Sequence, residues 1–357
     1  MVQAFGPVTF GVAALTLAVS AAGVWVTIRM AGMVGAIDVP NERSLHSTPT
    51  ARMGGIAMVA AFVLSLTSWA FLAAGEVFFA GLVWTVPLFA LAMSGLGLWE
   101  DLSGLSPLFR FLVQIACAAA ILLLLAKRVP WFRVEGYTLP PVFWVPLAAF
   151  WVVWMLNLYN FMDGIDGLAS GEAAVAASFF FLVFARYGES GWAVANLLVA
   201  AAAMGFLVHN WPPANVFMGD TGSYFLGAFF GMQSVAAALT TPVPFVVLVL
   251  PFSNFILDTT VTLLRRMVRR EKWYLPHRTH FYQRMLTGLG MSNRRVTLLE
   301  LAGATASCGA AFAYTLLGPQ GRILIVAAVI ATFVSAGLAI RRKERRPGRF
   351  GNSPFDE

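Results

Sequence analysis

The chain has 357 residues, 59% of them apolar and only 11% charged, with a mean hydropathy of +0.76. A water-soluble fold of this length could not bury that much hydrocarbon, so a soluble enzyme, a disulfide scaffold and a disordered chain are all excluded. The net charge of +7 lies mostly at the ends of apolar runs, where cations set membrane topology and do not point to nucleic acid.

Eleven Trp, thirty Phe and thirty-two Gly, set in long apolar runs, suit packed membrane helices better than the short alternating strands of a barrel. Runs of about 20 apolar residues, enough to cross the hydrocarbon, occur near 8–30, 53–75, 78–98, 108–126, 141–160, 168–187, 192–209, 222–240, 243–264, 298–317 and 321–340. They predict an all-α, polytopic integral membrane protein of about eleven spans, forming a single domain over 1–357. The first run lacks a basic leader and is too long for a typical cleaved signal. Cys117 and Cys308 both fall inside apolar runs and read as small hydrophobes.

With the amino terminus outside, one side of the membrane collects Arg29, Arg43, Arg52 and Arg110, a long basic loop over 265–297, and a basic tail over 341–357. The opposite side keeps Lys127, Arg128, Arg133, Arg186 and Arg322. The Lys and Arg bias predicts that the first side is cytoplasmic. Most of the seventeen acids then gather there too: Asp38 and Glu42 after the first span, Glu100 and Asp101 after the third, Asp163 and Asp166 after the fifth, Asp220 after the seventh, and Asp258 late in the ninth. Solvated loop charges would scatter. Acids at successive ends on one face predict a shared polar site at that face.

The local strings carry the chemistry. Residues 157–167 read Asn-Leu-Tyr-Asn-Phe-Met-Asp-Gly-Ile-Asp-Gly, so Asn157, Asn160, Asp163 and Asp166 recur every third residue and occupy neighbouring positions on one helix face. Four polar groups at membrane depth are costly unless they face a polar cavity. In Met-Gly-Asp-Thr-Gly-Ser, residues 218–223, Asp220 stands between glycines where a helix N-terminus suits an anion, although the same string also suits a simple cap. Adjacent Glu100 and Asp101 repel unless a cation or proton intervenes, and oxygen donors favour Mg²⁺ over Zn²⁺. His277, Arg278, His280 and Arg284 interleave in the long loop as donors to phosphate oxygens. Arg43 and His46 lie in the dense polar turn of 38–55, whose polar residues suit either caps or the rim of the site.

Together these strings resemble the polyprenyl-phosphate N-acetylhexosamine-1-phosphate transferase superfamily over nearly the whole chain. Its O-antigen and surface-glycan-initiating branch is closer than the phospho-MurNAc-pentapeptide branch, because the loop reads His-Arg-Thr-His-Phe-Tyr-Gln-Arg at 277–284. The resemblance implies transfer of a sugar 1-phosphate from a UDP-N-acetyl sugar to polyprenyl phosphate, with release of UMP and with Mg²⁺ (or Mn²⁺) required, at the cytoplasmic face of a bacterial inner membrane. It implies that Asp220, with Asp101, holds the metal. Glu100 and Asp101 take the paired-acid position, where the family usually has two Asp. Asp163 and Asp166 help bind the nucleotide, with Asn157 and Asn160 beside them, and His277 and His280 belong to the loop over the diphosphate. No nucleic-acid partner is implied, and a homodimer is compatible with it. A secondary transporter would place its acids near the bilayer midplane. A non-catalytic lipid-binding scaffold would share the fold without releasing UMP. The sequence leaves the sugar open.

Overall fold

The computed structural model describes residues 6–33, 35–40, 48–74, 82–134, 137–271 and 278–344. Its helices are α1 (Pro7–Met30), α2 (Gly55–Trp69, continued by a π turn over Ala70–Ala74), α3 (Thr85–Ser103), α4 (Pro107–Arg128), α5 (Pro141–Met162), α6 (Leu168–Arg186), α7 (Ser190–Asn210), α8 (Gly219–Thr240), α9 (Phe245–Val249), α10 (Ser253–Val268), α11 (Phe281–Thr287), α12 (Asn293–Leu316) and α13 (Pro319–Glu344). Two small ribbons, Ile37–Asp38 with Thr50–Ala51 and Phe132–Val134 with Tyr137–Leu139, are the only strands among the described residues.

Ten helices among the described residues are long and apolar enough to cross a membrane, Phe245–Val268 counting as one through α9 and α10. The span predicted at 78–98 begins as α3 only at Thr85 and runs on through Glu100 and Asp101 to Ser103. With those terminal acids α3 is not among the ten, and it packs along α8 inside the bundle. The all-α, multi-pass architecture therefore stands.

Local sequence explains the helix starts. Pro7, Pro107 and Pro141 occupy first-turn positions, where a missing N–H is no loss. The Ser106 hydroxyl also caps α4, accepting from Phe109 N at 3.2 Å. α8 is the hub: it packs on α3, α5 and α2 and is buried over most of its length. α13 is bare along almost all of its span, as a lipid-facing helix should be.

Small residues let α3 and α8 meet closely. A Cβ at Gly97 would stand 2.3 Å from the Asp220 carbonyl oxygen, so no larger residue fits there without moving the first turn of α8. The basic stretch 265–297 is not one loop. Its first turn completes α10, its middle forms α11, and its end opens α12.

Candidate active site

Helix α8 begins at Gly219, whose φ of +72° strains an L side chain. Its first amides would normally need a cap from the preceding residues, but Met218 gives none. The cap comes from another helix. Asp101, in the last turn of α3, accepts Asp220 N at 3.1 Å on Oδ1, and Thr221 N at 2.9 Å and Thr221 Oγ1 at 2.8 Å on Oδ2. Arg52 donates to the Asp101 carbonyl at 2.6 Å. The segment carrying Arg52 is laid down by backbone bonds from Phe217 N to Ala51 O and from Gly54 N to Phe217 O.

The Asp220 side chain is held on both sides. Asn160, in the last turn of α5, donates to its Oδ1 at 3.0 Å and to Ser223 Oγ at 2.9 Å. Arg110, from the first turn of α4, stands 3.3 Å from Asp220 Oδ2, 3.1 Å from Glu100 Oε1 and 3.2 Å from the Tyr224 hydroxyl. Glu100 also accepts the amide of Leu105, closing the turn after α3. Four helix ends thus converge on Asp220, and one guanidinium is shared among two carboxylates and a phenol.

Asp163 follows directly on α5. Its carboxylate accepts no hydrogen bond among the described residues, and it is partly exposed. Desolvation, and then the charges of Asp220, Asp101 and Asp166, push it well above the usual carboxylate range. Asp166 is tied down instead: its Oδ2 accepts Ala214 N at 3.0 Å, and its carbonyl accepts the Thr297 hydroxyl at 2.8 Å. Buried Asn210 links this turn to the approach to α8, accepting from Gly167 N at 3.0 Å and Ser170 Oγ at 2.9 Å while donating to Val216 O at 2.8 Å.

Of the residues singled out from the sequence, Glu100, Asp101, Asn160, Asp163 and Asp220 come together, with Asp166 at their edge. Asn157 lies deeper, donating to Gln114 of α4 at 2.7 Å. His280 is buried at 3% exposure, its Nδ1 3.2 Å from Asp258. Arg284 pairs with Glu344 at the end of α13 through Nε, at 3.0 Å, and through a second contact from its terminal nitrogen. Arg278 lies half-buried just before α11. Arg43, His46 and His277 lie outside the described residues. Sequence reasoning missed Arg52, Ser223, Tyr224 and above all Arg110. Arg110 is the only basic residue between Arg52 and Lys127, a lone cation beside an acid pair, and that signal was available.

Oxygen donors dominate the cluster, and Glu100, Asp101 and Asp220 outnumber the neighbouring guanidiniums of Arg52 and Arg110. A divalent cation fits that excess. Among the described residues no three His, Cys, Asp or Glu side chains form a metal cage.

Residues 82–238 match the family described as Glycosyl transferase family 4. A probable undecaprenyl-phosphate N-acetylglucosaminyl 1-phosphate transferase of Bacillus subtilis is 30% identical over 283 residues, covering 76% of this chain and 75% of that one. A decaprenyl-phosphate N-acetylglucosaminephosphotransferase of Mycolicibacterium smegmatis is 31% identical over 348 residues, covering 89% and 85%. A phospho-N-acetylmuramoyl-pentapeptide-transferase of Clostridium acetobutylicum is 31% identical over 214 residues, covering 57% and 65%. The family match spans Glu100, Asp101, Arg110, Asn160, Asp163 and Asp220, and at this identity and coverage the chain belongs to glycosyl transferase family 4, in the superfamily of polyprenyl-phosphate N-acetylhexosamine-1-phosphate transferases.

Proposed function

We propose that this chain transfers an N-acetylhexosamine 1-phosphate from a UDP-sugar to polyprenyl phosphate, releasing UMP, at the cytoplasmic face of a bacterial inner membrane. N-acetylglucosamine is the first sugar to test, because two of the relatives above are named for it. The product would initiate a lipid-linked surface glycan, of O-antigen or cell-wall type. The observation that carries the reading is Asp220, set at the N-terminal end of the most buried helix and held by Asn160 and Arg110 beside a second acid, Asp101.

In the reaction an oxygen of the lipid phosphate attacks the β-phosphorus of the UDP-sugar. A new pyrophosphate P–O bond forms as the old one breaks, and UMP leaves with the electron pair. A phosphate monoester is already largely ionised at neutral pH, its second pKa being about 6, so the nucleophile needs alignment more than a base. Both substrates are anions, and a cluster of carboxylates alone would repel them. Asp220 would hold Mg²⁺, which when bound would supply neutralisation of the pyrophosphate charge. Asp101 keeps the first turn of α8, and with it Asp220, in place. Arg110 is a fixed donor for a phosphate oxygen, and Asn160 orients the Asp220 carboxylate. Asp163, whose carboxylate accepts no hydrogen bond among the described residues, is the group offered to the donor nucleotide. A transporter would need acids at mid-span, whereas these stand at helix ends.

Protein in nanodiscs, supplied with undecaprenyl phosphate, Mg²⁺ and a panel of UDP-N-acetyl sugars, should release UMP and form a lipid pyrophosphoryl sugar with at least one donor. Failure with every donor would overturn the reading.

A further inference from the structure

The short helix α11 touches the acid-bearing turn after α5 through one side chain. The Tyr282 hydroxyl donates to the Phe161 carbonyl at 3.2 Å. A Cβ on Gly164 would lie 2.1 Å from that hydroxyl oxygen and 3.1 Å from the Cζ that bears it. The ring therefore rests against backbone on both sides of Asp163. Tyr282 is fully buried, and burial, then the charges of Asp258 and Asp163, push its phenol well above the ordinary range, so it remains a donor.

Asp258, in α10 and 2% exposed, fixes where Tyr282 stands. Its Oδ1 accepts Phe281 N at 2.9 Å and the Thr262 hydroxyl at 3.1 Å, and its Oδ2 accepts Tyr282 N at 3.2 Å. His280, 3.2 Å from the same carboxylate, stacks on the Tyr282 ring with centroids 5.8 Å apart at 17°. A continuous set of contacts thus runs from α10 through α11 to the backbone that carries Asp163 and, one turn earlier, Asn160.

We propose that Tyr282, anchored by Asp258, is a positioning residue that sets Asp163 and Asn160 opposite Asp220. The inference rests on the phosphotransfer reading of that site. Neither Tyr282 nor Asp258 touches the reacting phosphates; both act through the 161–164 backbone. It also gives His280 a place in the machinery without contact with substrate, as part of the stack that holds the tyrosine.

The test pairs Tyr282→Phe with Gly164→Ala, singly and together, in the full chain in nanodiscs with undecaprenyl phosphate, Mg²⁺ and UDP-N-acetylglucosamine. Tyr282→Phe should lower kcat about fivefold or more, the worth of one lost hydrogen bond, with KM for the UDP-sugar little changed. Gly164→Ala should do worse, because its methyl meets the hydroxyl. Removing that hydroxyl should then rescue it: the double variant turns over faster than Gly164→Ala alone. Losses that simply multiply would overturn the proposal, since independent sites add in free energy. Amide exchange gives an arm independent of turnover, and Tyr282→Phe should speed exchange across residues 161–167. Unchanged exchange there overturns the positioning role even if the wild type is active. A wild type with no turnover counts against the proposed function alone, leaving exchange to decide this one. Should Tyr282→Phe not fold, exchange in Gly164→Ala, which disturbs the same contact from the other side, decides it.

Discussion

Asp101 offers the sharpest separation between two tasks a carboxylate can have: capping a helix and holding a metal ion. Its two oxygens accept from Asp220 N, Thr221 N and Thr221 Oγ1 at 2.8 to 3.1 Å, an arrangement that caps α8 from a neighbouring helix. In Asp101→Asn one oxygen becomes an NH₂, which must point its hydrogens at a backbone N–H. One charge-assisted bond is lost, worth about 1.5–3 kcal/mol, together with about 0.3–1 kcal/mol of favourable interaction with the helix dipole. The variant should be destabilised by about 2–4 kcal/mol, which for a chain of this length lowers Tm by about 3–6 °C. The assay is thermal unfolding in EDTA, so that no divalent ion contributes. If Asp101 served only as a metal ligand, its loss would leave Tm in EDTA unchanged and would remove only the stabilisation seen on adding Mg²⁺. That outcome would refute the capping argument.

The companion variant Asp220→Asn should keep its Tm in EDTA: the amide gives up the contact with either Asn160 or Arg110, but it also relieves the repulsion from Asp101 and Glu100. Its turnover should fall about a thousandfold as several kcal/mol of charge stabilisation disappear; substantial activity would remove Asp220 from the metal role. Asp163 sets a pH signature. Its native pKa is raised, so the native state holds a proton that the unfolded chain has lost. The resulting stability is full below the ordinary carboxylate range near pH 4 and is lost as pH rises through the native value. Asp163→Asn removes that dependence, so its Tm advantage over wild type in EDTA should grow from pH 4 to pH 8, and a constant gap would contradict the assignment. Arg284→Ala breaks the pair with Glu344 and should cost about 3 kcal/mol of stability. KM for the UDP-sugar should stay unchanged, because the guanidinium is held at the end of α13 by Glu344; a large KM effect would return Arg284 to the substrate.

What was legible in the sequence was everything carried by short-range pattern. Apolar runs give the spans, glycine-flanked acids give turns, and the three-residue spacing of Asn157, Asn160 and Asp163 gives one helix face. Partners across helices were not legible. Asp101 and Asp220 lie far apart in the chain, and nothing in either string says that the first caps the helix carrying the second. The apolar run at 222–240 leaves Asp220 just before its span, whereas the helix itself starts at Gly219. Arg284 and His280 looked like phosphate donors because basic residues in a loop usually face water. The formation of α11 turns His280 to Asp258 and Arg284 to Glu344. Asn157 shares a face with Asn160, yet one turn of depth brings it to Gln114 instead of Asp220. Periodicity says which side of a helix is polar; packing decides what that side meets.

The same contacts explain how an acidic site can stand ready at the edge of a membrane. Arg110 is the one cation in contact with Asp220 among the described residues, and it is divided among Glu100, Asp220 and Tyr224. Cations therefore do not neutralise the cluster. Apart from Arg110, its geometry is kept by groups that carry no net charge: the amides at the start of α8, the Asn160 side chain, and the Phe161 carbonyl that receives Tyr282. Neutral donors can fix a carboxylate's direction while leaving its charge available to a divalent ion. A lysine or arginine in each of those places would hold the acids equally well, but would cancel the field that draws the ion in. On this argument, a cation in place of the neutral amide, as in Asn160→Lys, disables the site by pairing with the Asp220 carboxylate.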